Sequence, residues 1–157
     1  PDILWAILNS LFTIGGMIGA FTSKFVMDIF GRKNGMIMHN LFSIIAAVLA
    51  SVSPILRSPV ALLISRFLFG LHSAMSCSIA AAYINEISPL NLRGQTGVYP
   101  QLFITLGILI SQALGFRQLL GTPDLWHILI AGPIVPAVVG SLIIFFVVPE
   151  SPAELLL

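Results

Sequence analysis

Charge is scarce in this sequence: seven Lys/Arg and six Asp/Glu among 157 residues, 8% of the chain. A water-soluble domain carries about a quarter charged residues, because its surface faces solvent. So few charges cannot coat such a surface. An ordinary aqueous core is therefore excluded, and lipid is the expected solvent for most side chains. The net charge is only +1 and no basic stripe occurs, which argues against nucleic acid as a partner. The one cysteine, Cys77, stands in an apolar stretch, so no disulfide framework or thiolate metal site is on offer. It reads as a small helix-packing residue. No Asn-x-Ser/Thr sequon, zinc-ligand spacing, Ser/His/Asp constellation or Gly-rich phosphate loop is present, and Gly31-Arg32-Lys33 lacks the rest of a P-loop. Nothing in the residues points to an enzyme. The N-terminal stretch lacks the basic region and cleavage site of a signal peptide. The chain opens inside one apolar segment and stops soon after another, as a piece of a longer polypeptide would.

What the sequence does have is apolar length. Five segments run roughly over residues 4–27, 34–56, 60–87, 96–115 and 126–148, separated by breaks that hold most of the charges and turn formers. About 20 residues at 1.5 Å each cross a ~30 Å hydrocarbon layer, so each segment is long enough to span. None alternates with period 2, and open sheet edges cannot face lipid, so an all-α polytopic membrane protein is expected. Five spans alternate sides. Lys24, Arg32, Lys33 and Arg93 then share one face with Glu86 and Glu150, while Arg57 and Arg117 lie on the other. The excess of cations makes the first face cytoplasmic. Trp5 and Trp126 fall at the opposite interface, as in an aromatic belt. Gly15/Gly19, Gly16/Ala20, Gly70/Ala74 and Gly107/Ser111/Gly115 recur four apart, a spacing that lets helix backbones approach in lipid.

Polar groups at membrane depth are costly, by about 2.5 kcal/mol or more for a central charge, and so need a reason. Asp28, Arg32, Lys33, Glu86, Arg93 and Glu150 end different spans on one face. They read either as solvated flanks that snorkel or as an ion-pair network holding one conformation; spacing alone supports both. Gln101 lies eight residues past Arg93, about 12 Å into the membrane, where an amide must find a partner. It shares a helical face with Ile104 and Ile108, and Pro100 beside it disturbs the helix. An amide both donates and accepts, so it suits a hydroxyl-rich ligand; it equally suits a bridge to another helix. His39, Asn40 and His72, with Ser73, Ser76 and Ser78, read as interhelical hydrogen-bonding groups. No pair of midplane carboxylates appears, so the residues give no sign of proton coupling.

Taken in order, Gly15-Gly16-Met17-Ile18-Gly19, Phe30-Gly31-Arg32-Lys33-Asn34, Ser65-Arg66-Phe67-Leu68-Phe69-Gly70, Asn85-Glu86-Ile87-Ser88-Pro89, Asn91-Leu92-Arg93-Gly94, Pro100-Gln101-Leu102-Phe103-Ile104-Thr105, Asp124-Leu125-Trp126 and Pro149-Glu150-Ser151-Pro152 resemble one family. It is the facilitative hexose transporters of the sugar porter group, within the major facilitator superfamily. The resemblance covers essentially the whole chain. It implies helices two to six of a twelve-helix transporter, that is, part of its N-terminal six-helix half, in the plasma membrane. The expected partners are a hexose (glucose or fructose), the bilayer, and the first helix and C-terminal half of the same polypeptide; no cofactor is implied. Alternating access about a midplane site is the expected mechanism. By position, Gln101 matches the family's sugar-binding glutamine, with Ile104 and Ile108 lining the same site. Arg32, Glu86, Arg93 and Glu150 match the cytoplasmic charge network, and Arg66 matches an arginine expected to be structural. The chain departs from the family pattern at Ile29, where an arginine is usual, at Asn85 for glycine, and at Ala153 for arginine. Two alternatives share the fold: a proton-coupled sugar or polyol porter, and a non-transporting membrane sensor.

Overall fold

The structure, a computed structural model, describes residues 2–56, 59–116, 122 and 126–147. Among them every regular element is helical: α1 (Asp2–Leu56), α2 (Pro59–Ile87), α3 (Arg93–Thr96), α4 (Tyr99–Leu114), α5 (Trp126–Ala131) and α6 (Ile134–Val147).

α1 is two rods, not one. Gly31 sits at φ 78°, ψ 173°, a region essentially closed to residues with a Cβ, and the chain reverses there. The packing requires the reversal. A Cβ on Gly70 would strike the carbonyl of Phe12, and His39 lies against His72 with ring centroids 5.0 Å apart. In a continuous helix Phe12 and His39 would be separated by about 40 Å, yet their partners on α2 are two residues apart. The first arm of α1 (2–30) and the second (32–56) therefore both lie along α2.

The first contact uses the expected small residues. Added Cβ atoms on Gly15 and Gly70 would run into the backbones of Phe67 and Phe12, and one on Gly19 into that of Leu71. Such close approach gives dispersion contact and tolerates no side chain in between. The second arm packs through Met36, which joins Met75, Ile79 and Tyr83 in a buried cluster flanked by Val26, Met27, Phe42, Leu71 and Ile144. α6 closes the other side of that arm, where Asn40 Nδ2 donates to Ser141 Oγ at 3.0 Å.

The segment 126–148 contains two helices, α5 and α6, with a proline irregularity at Gly132-Pro133 inside what remains one apolar span from 128 to 146. Pro133 has no N–H to donate and crowds the preceding turn; regular bonding resumes with Ala137 N–H to the Pro133 carbonyl at 3.1 Å. Among the described residues no neighbouring helix packs on Gly107. A Cβ on Gly107 would meet nothing within 4 Å, and none of α4's residues is buried.

The outside of the bundle is apolar. Phe21, Phe146 and Ile3 are 74%, 77% and 77% exposed, whereas the buried set includes His39, Asn40, Ser43 and Ser65. Lipid-facing helices require that distribution, since polar groups find partners only within the bundle.

Candidate functional site

The turn between α3 and α4 positions the candidate binding glutamine. Gly97 N–H donates to the Arg93 carbonyl at 3.0 Å, and Val98 N–H to Gln95 at 3.2 Å, a tighter three-residue turn. Pro100 follows as an early residue of α4, where its missing N–H costs least. Gln101 is exposed and opens onto a cleft of about 390 Å³ between α4 and α2. Ser76, Cys77, Ala80 and Ala81 form the α2 wall; Gly97, Pro100, Gln101 and Ile104 form the other. Among the described residues no hydrogen bond joins the Gln101 amide to another helix; its backbone carbonyl accepts from Thr105 Oγ1 at 2.9 Å. Ile104 joins Gln101 in the cleft. Ile108, 51% exposed on the same helix, is not among the residues that line it.

In the sequence Ser76 and Cys77 read only as bonding and packing residues, and Ala80 and Ala81 are not singled out. The signal for the α2 wall is there: Ser76/Ala80 and Cys77/Ala81 are small residues four apart, one face of a helix kept clear of bulk. The cleft's size falls within the range of small-molecule sites, and it combines an apolar lining with a few polar groups.

The second cluster lies where α1 reverses and α2 ends. Arg32 Nε donates to Glu86 Oε1 at 3.0 Å, with the two side chains 22% and 24% exposed. Arg32 Nη1 also donates to the Met27 carbonyl at 3.3 Å, so one guanidinium ties both arms of α1 to the end of α2. Arg93 Nε reaches the Ser88 carbonyl at 3.4 Å and steadies the loop into α3. Glu150, the remaining expected member of the network, lies outside the described residues.

A third group is interior. His72 lines both a cleft of about 530 Å³, with Arg66, Ser43, Ser73 and Ser111, and a pocket of about 200 Å³ with Asn40, Ser43 and Ser76. His72 Nδ1 lies 2.9 Å from the His39 carbonyl and Asn40 bonds Ser141, so His72 and Asn40 make the interhelical bonds expected of them.

A family profile described as "Sugar (and other) transporter" matches residues 1–156. The chain belongs to that family. Facilitated glucose transporter member 5 of solute carrier family 2, from Equus caballus and from Homo sapiens, is 41% identical over 155 residues, 99% of this chain and 31% of each relative. Member 1 from Gallus gallus is 40% identical over 154 residues, 98% of this chain and 31% of the relative. The chain thus spans about a third of the length of these curated relatives. Among solved structures, the xylose transporter XylE from E. coli in its inward open conformation matches with a TM-score of 0.86 at 21% identity, covering 98% of this chain and 39% of that one. A D-xylose-proton symporter matches with a TM-score of 0.74 at 20% identity, over 98% and 40% of the two chains. The sugar transporter chain is accordingly a multi-pass membrane protein with part of the major facilitator fold.

Proposed function

We propose that this chain forms part of a carrier that moves a hexose down its gradient across the plasma membrane by alternating access. Gln101 binds the sugar from its cleft, Ile104 and Ile108 supply apolar contact, and the first helix and C-terminal half of the same polypeptide complete the cavity. Arg32, Glu86, Arg93 and Glu150 form a cytoplasmic lock that is closed when the site faces outward. It parts as the halves rock. The protein is a carrier, not an enzyme: the site changes which side the sugar reaches and leaves its bonds intact.

The single observation that supports this best is a free amide at membrane depth, aimed into a cleft walled by small residues. An amide so placed costs desolvation unless a ligand or water hydrogen-bonds to it, and a sugar hydroxyl meets both its donor and its acceptor. With about 0.5–1.5 kcal/mol net per neutral hydrogen bond, losing two weakens sugar binding about 5- to 160-fold. The test is uptake of labelled glucose and of labelled fructose by the complete transporter in liposomes. Gln101→Ala should weaken one or both by that factor, and an unchanged affinity and rate would remove Gln101 from the site.

A further inference from the structure

We propose that Ser76 is a second sugar-binding residue: its hydroxyl holds one sugar oxygen from the α2 wall of the cleft while the Gln101 amide holds another from the α4 wall. The inference rests on reading this cleft as the sugar site.

The chemistry of the two walls points to Ser76. On the α2 side the cleft is lined by Ser76, Cys77, Ala80 and Ala81. The alanines have no polar side-chain atom, and a thiol is only a weak donor and acceptor. Ser76 therefore carries the strong hydrogen-bonding side chain of that wall. On the α4 side Gly97, Pro100 and Ile104 leave the same role to Gln101. The cleft thus sets one hydroxyl and one primary amide on opposite walls, with small or apolar surface around them. Small-molecule sites have that pattern, a few placed polar groups in an otherwise apolar lining. A hexose presents hydroxyls around its rim and C–H groups on its faces, so it can meet both walls and lay a face against Ile104.

The Ser76 hydroxyl is also uncommitted. A serine inside a membrane helix commonly donates to a carbonyl three or four residues back. Ser65 does so on the same helix, to the Leu62 carbonyl at 2.7 Å. Among the described residues Ser76 makes no such bond, and its half-buried side chain borders two cavities. One is the Gln101 cleft; the other is the pocket of about 200 Å³ lined also by Asn40, Ser43 and His72. A side chain this small can border both only where they adjoin. The inner pocket has room for water at about 30 Å³ each, so the Ser76 oxygen can accept from a water behind it and donate its proton to the sugar.

Bonding on both walls has a consequence for selectivity. A site built to hydrogen-bond a substrate hydroxyl rejects the analogue that lacks it. α4 has no buried residue, so a sugar held at both walls adds a tie between α4 and α2 that a ligand reaching only one wall does not.

The experiment uses the complete transporter in liposomes. It measures the affinity for labelled glucose and fructose, and competition by the monodeoxy analogues of the hexose that is carried. Loss of one neutral hydrogen bond in Ser76→Ala should weaken hexose affinity about 2- to 13-fold. In wild type one monodeoxy analogue should compete less well than its parent by a similar factor. In Ser76→Ala that analogue and its parent should compete equally, because the partner of the missing hydroxyl is gone. Ser76→Thr keeps the hydroxyl and should keep the discrimination. Gln101→Ala is the reference. If it weakens the hexose while Ser76→Ala discriminates among the analogues as wild type does, Ser76 is overturned and the cleft stands as the sugar site. Unchanged affinity in both variants would overturn the cleft and Ser76 with it. Should Ser76→Ala not fold, Ser76→Gly is read in the same way.

Discussion

Replacing Glu86 with glutamine keeps the size and one acceptor oxygen of the side chain and removes its charge. In the structure that carboxylate accepts a 3.0 Å hydrogen bond from Arg32 Nε, with both side chains less than a quarter exposed. A hydrogen bond to a charged group contributes about 1.5–3 kcal/mol when sheltered, and an exposed ion pair about 0–1. A partly sheltered pair falls between, at about 1–2 kcal/mol, which is a factor of about 5–30 in a two-state equilibrium. If the pair locks the cytoplasmic side, its loss shifts the complete transporter toward the inward-facing state by that factor. The chain carries its own reporter. Cys77 is exposed and lines the Gln101 cleft, so a membrane-impermeant maleimide applied from the cytoplasmic side reads the inward-facing population. In a background without other cysteines, Glu86→Gln and Arg32→Gln should each speed inner-side labelling, up to about 30-fold where the outward state dominates at rest. The double variant should add little to either. Labelling rates within twofold of wild type in all three would show that the ion pair is not part of a gate.

Two further outcomes follow from the packing. Gly31→Ala places a Cβ at φ 78°, ψ 173°, which costs about 1–3 kcal/mol and should lower the thermal midpoint of the purified protein without changing sugar selectivity. A double-mutant cycle of Asn40→Ala and Ser141→Ala should return a coupling of about 0.6 kcal/mol, the average for interhelical hydrogen bonds in a bilayer; a coupling of zero would mean the 3.0 Å contact contributes nothing.

The helical rods and much of the first helix contact were legible in the sequence, because both are written locally. Apolar length sets a span, and Gly15, Gly19 and Gly70 stand at the spacing that close backbones need. For Gly107, Ser111 and Gly115 the same spacing states what a helix can do, and among the described residues no partner helix lies against Gly107. The break at Gly132-Pro133 was signalled by the proline and hidden by unbroken hydrophobicity around it. Gln101 was legible as a polar residue at depth, but its opposing wall was not. Ser76, Cys77, Ala80 and Ala81 acquire meaning only when α2 is laid beside α4. His39 and His72, separated by 33 positions, meet for a similar reason: the reversal at Gly31 brings the second arm of α1 onto α2.

The distribution of tight and loose packing bears on the proposed mechanism. Where the first arm of α1 crosses α2, glycines bring the backbones into contact and leave no room for a side chain between them. Packed interfaces of this kind move as units. α4 is held differently, with every residue at least partly exposed and clefts between it and α2, one of them lined by Ser76, Cys77, Ala80, Ala81, Gln101 and Ile104. A carrier must visit two states whose free energies differ by only a few kcal/mol, so the surface that changes between them cannot be an extensive apolar interlock. On this reading the α1–α2 pair is the rigid body and the α4 face, with Gln101, meets whatever lies across the cavity. The Arg32–Glu86 pair sits at the end of the rigid body, where one partly sheltered ion pair can bias the motion without preventing it.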